Sequence, residues 1–184
     1  VIRHPQLGAP DLVADVTGAH VVNAGDGKHQ HPTQALLDLF TIDEEFGAIG
    51  GLHVAIVGDV LHSRVARSNI QALRLMGAKV TVVGPPPLIP RGIESMGCEV
   101  SFDIEAIRGA DVVYVLRMQK ERMLEGANFV PSLREYTARW GVTSDRMRPG
   151  QKVMHPGPMN RGVEIDPEVA DAAEALIKRQ VRSG

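Results

Sequence analysis

Short apolar runs that stop at a glycine, a proline or a polar residue, and then give way to helical spacing, recur along this chain. Few folds accommodate that alternation. His53–Val57 stops at Gly58-Asp59, Lys79–Val83 stops at Gly84 and three prolines, and Asp111–Leu116 stops at Arg117. Glu99–Phe102 and Lys152–Met154 complete the set of expected strands. Between them, Ser63–Met76 turns Ile70, Leu73 and Met76 to one face of a helix that Gly77 ends. Arg91–Met96 and Asp103–Ile107 read as short helices, and Tyr136 is expected near a loop. Strand, helix, strand repeated in this way predicts an α/β protein with a doubly wound parallel sheet.

The opening residues form a separate block. Val1-Ile2 reads as the end of a strand, and Val21–Ala24 as another that runs into Gly25-Asp26-Gly27. From Pro32, which suits a first helical turn, Ala35, Leu36, Leu37, Leu39, Phe40 and Ile42 are spaced for a buried helix. Phe46–Gly51 breaks that pattern, so two domains are expected, 1–47 and 48–184. Ala170–Gly184 reads as a closing helix without a cap. With Val1 in first position, the chain is expected to be a fragment cut at both ends.

Composition excludes several classes. A net charge of −2 and a pI near 6.4 favour neither nucleic acid nor an acidic membrane surface. No apolar stretch approaches the roughly 20 residues of a membrane span. Arg3 and His4 open the chain with no long apolar run behind them, unlike a signal peptide. A single cysteine, Cys98, allows no internal disulfide, is expected to be a small buried residue, and fits a reducing, cytoplasmic setting.

The polar clusters sit at the ends of the apolar runs: Arg3-His4-Pro5, His31-Pro32-Thr33-Gln34, Arg64, Arg117-Met118-Gln119 and His155-Pro156-Gly157-Pro158. In a parallel sheet, strand ends converge on one crevice. Three arginines, a histidine and two glutamines gathered there suit a small, multiply anionic substrate, because guanidinium forks pair bidentately with carboxylate and phosphate. No nucleophilic cysteine, serine–histidine pair or paired carboxylate accompanies them, which points to transfer by positioning and charge stabilisation.

The loop Val60–Arg64 lacks the glycines a dinucleotide pyrophosphate needs, and Arg64 stands where bare backbone would have to be. Arg117 and Gln119 project to one side if the segment stays extended, whereas Lys120, Glu121 and Arg122 read as a solvated run. His31 at a helix start is expected to stay neutral and to donate one hydrogen bond to a carbonyl oxygen. His29 and His31 lack a third metal ligand, so no metal is expected and His29 is read as exposed. His20, His53 and His62 receive no role.

Together these motifs resemble the catalytic chain of the aspartate carbamoyltransferases. Asn23–Gly27 through Gln30–Asp38 resembles carbamoyltransferases at large, while Leu116–Arg122 and His155–Gly162 resemble the aspartate branch. The resemblance implies the doubly wound, Rossmann-like aspartate/ornithine carbamoyltransferase fold. It also implies transfer of the carbamoyl group of carbamoyl phosphate to L-aspartate in pyrimidine synthesis, with no cofactor. Arg3 and His31 would then polarise the carbamoyl oxygen. Gln34 and the carbonyls of Pro156 and Gly157 would hold its amide, and Arg64, Arg117 and Gln119 would grip aspartate. A homotrimer of the full-length chain is implied, with a regulatory chain or a dihydroorotase among the partners the resemblance allows. The family's phosphate-binding Ser-Thr-Arg-Thr-Arg loop lies upstream of Val1, so little activity is expected of these residues in isolation. The competing readings are a carbamoyltransferase for another amine, a non-catalytic assembly subunit of the same fold and, last, a nucleotide-dependent oxidoreductase.

Overall fold

The computed structural model describes residues 1–118 and 132–183. The expected doubly wound sheet is present. Strands β3 (His53–Val57), β4 (Lys79–Val83), β5 (Glu99–Ser101), β6 (Val112–Val115) and β7 (Lys152–Met154) form one sheet in the order β5-β4-β3-β6-β7, and every neighbouring pair is parallel. A smaller parallel pair precedes it, β1 (Ile2–His4) beside β2 (Asn23–Asp26).

Alternation along the strands explains why both faces of the large sheet are covered. Val54 and Ile56, with Val80, Val82, Val112, Tyr114 and Met154, pack one way against Ile42, Ala66, Ile70 and Leu73. Ala55 and Val57, with Val83, Val113, Val115 and Val153, pack the other way against Ile107, Tyr136, Trp140 and Ile165. A strand buried on both faces reads as a continuous apolar run, as His53–Val57 does after its first residue.

Helix α1 (Ala9–Thr17) crosses from β1 to β2, an element additional to those the sequence predicts. Helix α2 (Pro32–Phe46) carries the chain from the small sheet to the large one, and α3 (Arg64–Leu75) joins β3 to β4. Ser63 starts α3 as its cap, its Oγ accepting from the Ala66 N–H at 3.1 Å.

Several expectations are corrected. In α2 the buried face is Ala35, Asp38, Thr41 and Ile42, whereas Leu36 and Phe40 are 65% and 54% exposed. Apolar residues surround this helix, so spacing alone did not choose the face that meets α3. Met76 is exposed, because α3 ends at Leu75 and the chain has left the helix face that Ile70 and Leu73 bury. Tyr136 lies in a helix, α4 (Leu133–Trp140), whose Ser132 Oγ caps the Glu135 N–H at 3.0 Å. Ser132 with Glu135 is a capping-box spacing that signalled the helix start. The regions around 91–96 and 103–107 are 3-10 turns, Ile93–Met96 and Ile104–Gly109. The closing helix is two, α5 (Pro167–Asp171) and α6 (Ile177–Ser183). Between them the backbone lies along β7, where the Leu176 N–H donates to the Val153 carbonyl at 2.8 Å, so helical bonds are replaced by a strand-edge bond.

Among the described residues no helix is long and apolar enough to cross a membrane. Cys98 is buried, as expected.

Candidate active site

In the large sheet the chain proceeds outward from β3 to β4 and β5, then returns to start β6 on the other side of β3. The carboxyl ends of β3 and β6 flank this switch point, where doubly wound proteins open a crevice. A cleft of about 620 Å³ lies there, lined by Arg3, His31, Gln34, Arg64, Arg117 and the Pro156–Pro158 turn, among others. The structure therefore brings together every site residue expected from the sequence except Gln119, which lies outside the described residues.

Each cation is placed by a different element. Arg3 comes from β1 and Arg117 follows β6 by two residues. Arg64 is the first residue of α3 and reaches back over the small sheet, its Nη1 donating to the Gly27 carbonyl at 3.3 Å. Gly25 makes room for it: a Cβ there would lie 2.8 Å from Arg64 Cζ, and φ of +116° already disfavours any side chain.

His31 caps α2, with its backbone N–H donating to Ser68 Oγ at 2.8 Å. Thr33 Oγ1 lies 3.2 Å from its Nδ1. Burial first, and then the positive charges of Arg64 and Arg3, lower its pKa from 6.5 to about 4. The imidazole is thus neutral at physiological pH. When Thr33 donates to Nδ1, the ring proton sits on Nε2 and is available as a donor.

The far wall is held by a buried polar group that joins His155, from one of the expected clusters, to Glu164, which no motif marked. His155 accepts the Gly157 N–H on Nδ1 at 2.9 Å, so its proton is on Nε2, which faces Glu164 Oε1 at 3.3 Å. The same carboxylate accepts the Asn160 N–H at 2.6 Å, and Asn160 Nδ2 donates to the Met118 carbonyl at 2.9 Å. The 155–164 segment is thereby clamped to the end of β6, next to Arg117. On the small sheet, burial would raise the Asp26 carboxyl. Hydrogen bonds from the Gly8 and Gln30 N–H groups, Asn23 and His29 outweigh it and hold the group well below the usual carboxylate range. His29 is therefore paired with Asp26 at 3.0 Å, not simply exposed. His62, given no role from sequence, lines the cleft, and its Nδ1 lies 2.9 Å from Asp59 Oδ1; the Asp-x-x-His spacing was its only signal.

A cationic crevice with a neutral imidazole, built at the switch point of a doubly wound sheet, defines an α/β protein equipped to hold small anions at its strand ends. Comparison with known proteins narrows the class. The family model "Aspartate/ornithine carbamoyltransferase, carbamoyl-P binding domain" matches residues 1–44, and its companion, "Asp/Orn binding domain", matches residues 50–184. The chain belongs to the aspartate/ornithine carbamoyltransferase family. It is 57% identical to the aspartate carbamoyltransferase catalytic subunit of Gluconacetobacter diazotrophicus, with 100% of this chain aligned to 58% of that protein. For the same subunit of Moorella thermoacetica the identity is 55%, over 100% of this chain and 61% of the relative. Among solved structures, aspartate transcarbamoylase of Trypanosoma cruzi in complex with phosphate superposes with a TM-score of 0.82 at 30% identity, over 99% of this chain and 62% of that one. The Trypanosoma cruzi enzyme in complex with carbamoyl phosphate and aspartate gives 0.80 at 30% identity, over 98% and 61%. The chain thus spans about three-fifths of the length of the relatives it matches.

Proposed function

We propose that the full-length protein to which these residues belong transfers the carbamoyl group of carbamoyl phosphate to L-aspartate, giving N-carbamoyl-L-aspartate and phosphate. The observation that carries this reading is the convergence of Arg3, Arg64, Arg117 and neutral His31 on one cleft. The amine lone pair attacks the carbamoyl carbon, a C–N bond forms, and the bond to the phosphate oxygen breaks. The phosphate leaves with that electron pair, and the amine proton leaves with it or passes to solvent. Arg3 and the His31 N–H would stabilise the oxyanion that develops on the carbonyl oxygen. Gln34 and the carbonyls of Pro156 and Gly157 would hold the carbamoyl amide. Arg64, Arg117 and Gln119 would bind the two carboxylates of aspartate, for which a basic side chain such as that of ornithine is a poor substitute among arginines.

In this reading residues 1–47 belong to the carbamoyl phosphate domain and 48–184 to the aspartate domain, with the cleft between them. In the same reading the working protein is a cytoplasmic homotrimer, with a regulatory chain or a dihydroorotase among the partners it admits. The relatives' names favour aspartate over ornithine, as do Arg117 after Leu116 and Pro156 after His155.

The test is a carbamoyl transfer assay with carbamoyl phosphate against L-aspartate and L-ornithine. It is run on these 184 residues and on the chain extended by its natural flanking sequence. Turnover of aspartate by the extended chain, with little by the shorter one, is the expected result. Preference of the extended chain for ornithine, or silence with both, overturns the reading.

Gly25→Ala offers a sharper check of Arg64. The new methyl would displace a charge-bonding guanidinium, so the KM for L-aspartate of the extended chain should rise about tenfold or more. A destabilised variant with unchanged KM would show that Arg64 does not bind aspartate.

A further inference from the structure

Beneath Gln34 lies a buried carboxylate that the reaction as proposed does not use. Asp38 sits one helical turn after Gln34 on α2 and is 2% exposed. It accepts four hydrogen bonds: on Oδ1 from Gln34 Nε2 at 3.0 Å and Gln180 Nε2 at 2.6 Å, and on Oδ2 from Asn69 Nδ2 at 2.8 Å and the Tyr114 hydroxyl at 2.6 Å. These donors come from α2, α6, α3 and β6, so the carboxylate joins four elements at one point.

A carboxylate only accepts. Gln34 must therefore turn its NH2 end toward Asp38, which leaves Oε1 as the acceptor it offers to the cleft it lines. Gln180 is oriented by the same logic. Its Nε2 is committed to Asp38, and its Oε1 accepts the His155 N–H at 3.0 Å. His155 is the residue before Pro156 and Gly157, whose carbonyls face the same part of the cleft in the proposed reaction. One buried anion thus sets the orientation of the Gln34 amide directly, and the placement of the 155–158 turn through Gln180.

We propose that Asp38 is a positioning residue for the carbamoyl group, orienting the Gln34 amide oxygen directly and tethering the Pro156–Gly157 turn through Gln180. The inference rests on the carbamoyl transfer reading. Gln34 and the turn would hold an NH2 group by its N–H bonds, and three acceptors fixed in one arrangement suit an amide donor. An Asp38→Asn change keeps the shape but places an NH2 among donors. With that NH2 in the place of Oδ1, relieving the clash turns Gln34 over, so that a donor faces the carbamoyl nitrogen.

The test is a double-mutant cycle in the chain extended by its natural flanking sequence, assayed above neutral pH with carbamoyl phosphate and L-aspartate. Asp38→Asn is expected to lower kcat by about 10²-fold, the scale of a misplaced catalytic contact. The KM for L-aspartate should be little changed, since the aspartate-binding arginines are untouched. In a Gln34→Ala background most of that loss should disappear, because the side chain through which Asp38 acts is gone. Gln180→Met, which keeps the carboxylate, is the second arm. It should lower kcat without raising the KM for L-aspartate, and it reports on the tether even if Asp38→Asn does not fold. Equal kcat losses from Asp38→Asn with and without Gln34 overturn the orienting role, and a Gln180→Met enzyme with the parent's kcat overturns the tether. No transfer to aspartate by the unaltered extended chain overturns the underlying functional reading itself.

Discussion

Arg117→Ala in the extended chain should reduce kcat/KM for L-aspartate by roughly 10²–10³-fold, the consequence of truncating one partner of a desolvated charge pair. Arg117 emerges two residues past β6, between the end of that strand and the clamp formed by Asn160 and Glu164. Backbone on both sides is therefore held, which would lower the ordering cost when the side chain meets a carboxylate. Arg117→Lys should recover only part of the loss. An ammonium retains the charge but not the planar fork that fits a carboxylate with two parallel bonds. Steady-state kinetics with aspartate as the varied substrate measure this. An Arg117→Ala enzyme within a few-fold of the parent would remove Arg117 from the substrate clamp, and a lysine variant equal to the parent would show that charge alone is recognised.

His31→Ala should lower kcat by about 10²–10³-fold, as expected for loss of one donor to a developing oxyanion. Its pH behaviour is the more discriminating result. The folded-state pKa is lowered from 6.5 to about 4, so the ring stays neutral across the range in which an ordinary histidine would titrate. A parent enzyme that uses the neutral ring as a donor should therefore show no loss of activity attributable to His31 between about pH 7 and pH 5. His31→Ala should shift the level of the profile there and not its shape. The linkage has the same sign for stability. A group whose folded pKa is depressed contributes stability that is fully present above its unfolded pKa and lost as pH falls through the folded value. His31 should thus favour folding above pH 6.5 and lose that contribution as pH falls toward 4. A kcat/KM profile, which reports the free enzyme, whose acidic limb lies near 6.5 in the parent and vanishes in His31→Ala would contradict a neutral donor.

The clustering of these groups also accounts for the neutrality of His31. Partial burial removes the water that would otherwise stabilise a charged ring, and Arg64 and Arg3 would repel a third positive charge beside them. The same field that would attract a phosphate and two carboxylates keeps the imidazole in the form able to donate to a carbonyl oxygen. The cationic lining of the cleft and the protonation state of His31 are two consequences of one arrangement of charge.

Much of the scaffold was legible in the residues themselves. Strands such as His53–Val57 and Lys79–Val83 are short apolar runs with sharp glycine or proline endings, and that information is local. The parallel arrangement followed from their alternation with helices, because parallel neighbours need a crossover of about that length and a helix supplies it. The clusters at strand ends were legible for the same reason: strand direction alone sends Arg117, Arg64 and His155 toward one edge. Where apolar residues ring a helix, as with Leu36 and Phe40 in α2, the buried face is set by which neighbour arrives, and no spacing rule contains that. Asp38 gave no local sign of its importance. Its partner Gln180 lies 142 residues away, and the bond between them exists only because α2 and α6 meet beside β6 and β7. Local periodicity and turn chemistry determined the elements and the edge on which function would sit. Only tertiary contact decided which polar groups share a buried point, since hydrogen-bond partners are chosen by proximity in space and not by order along the chain.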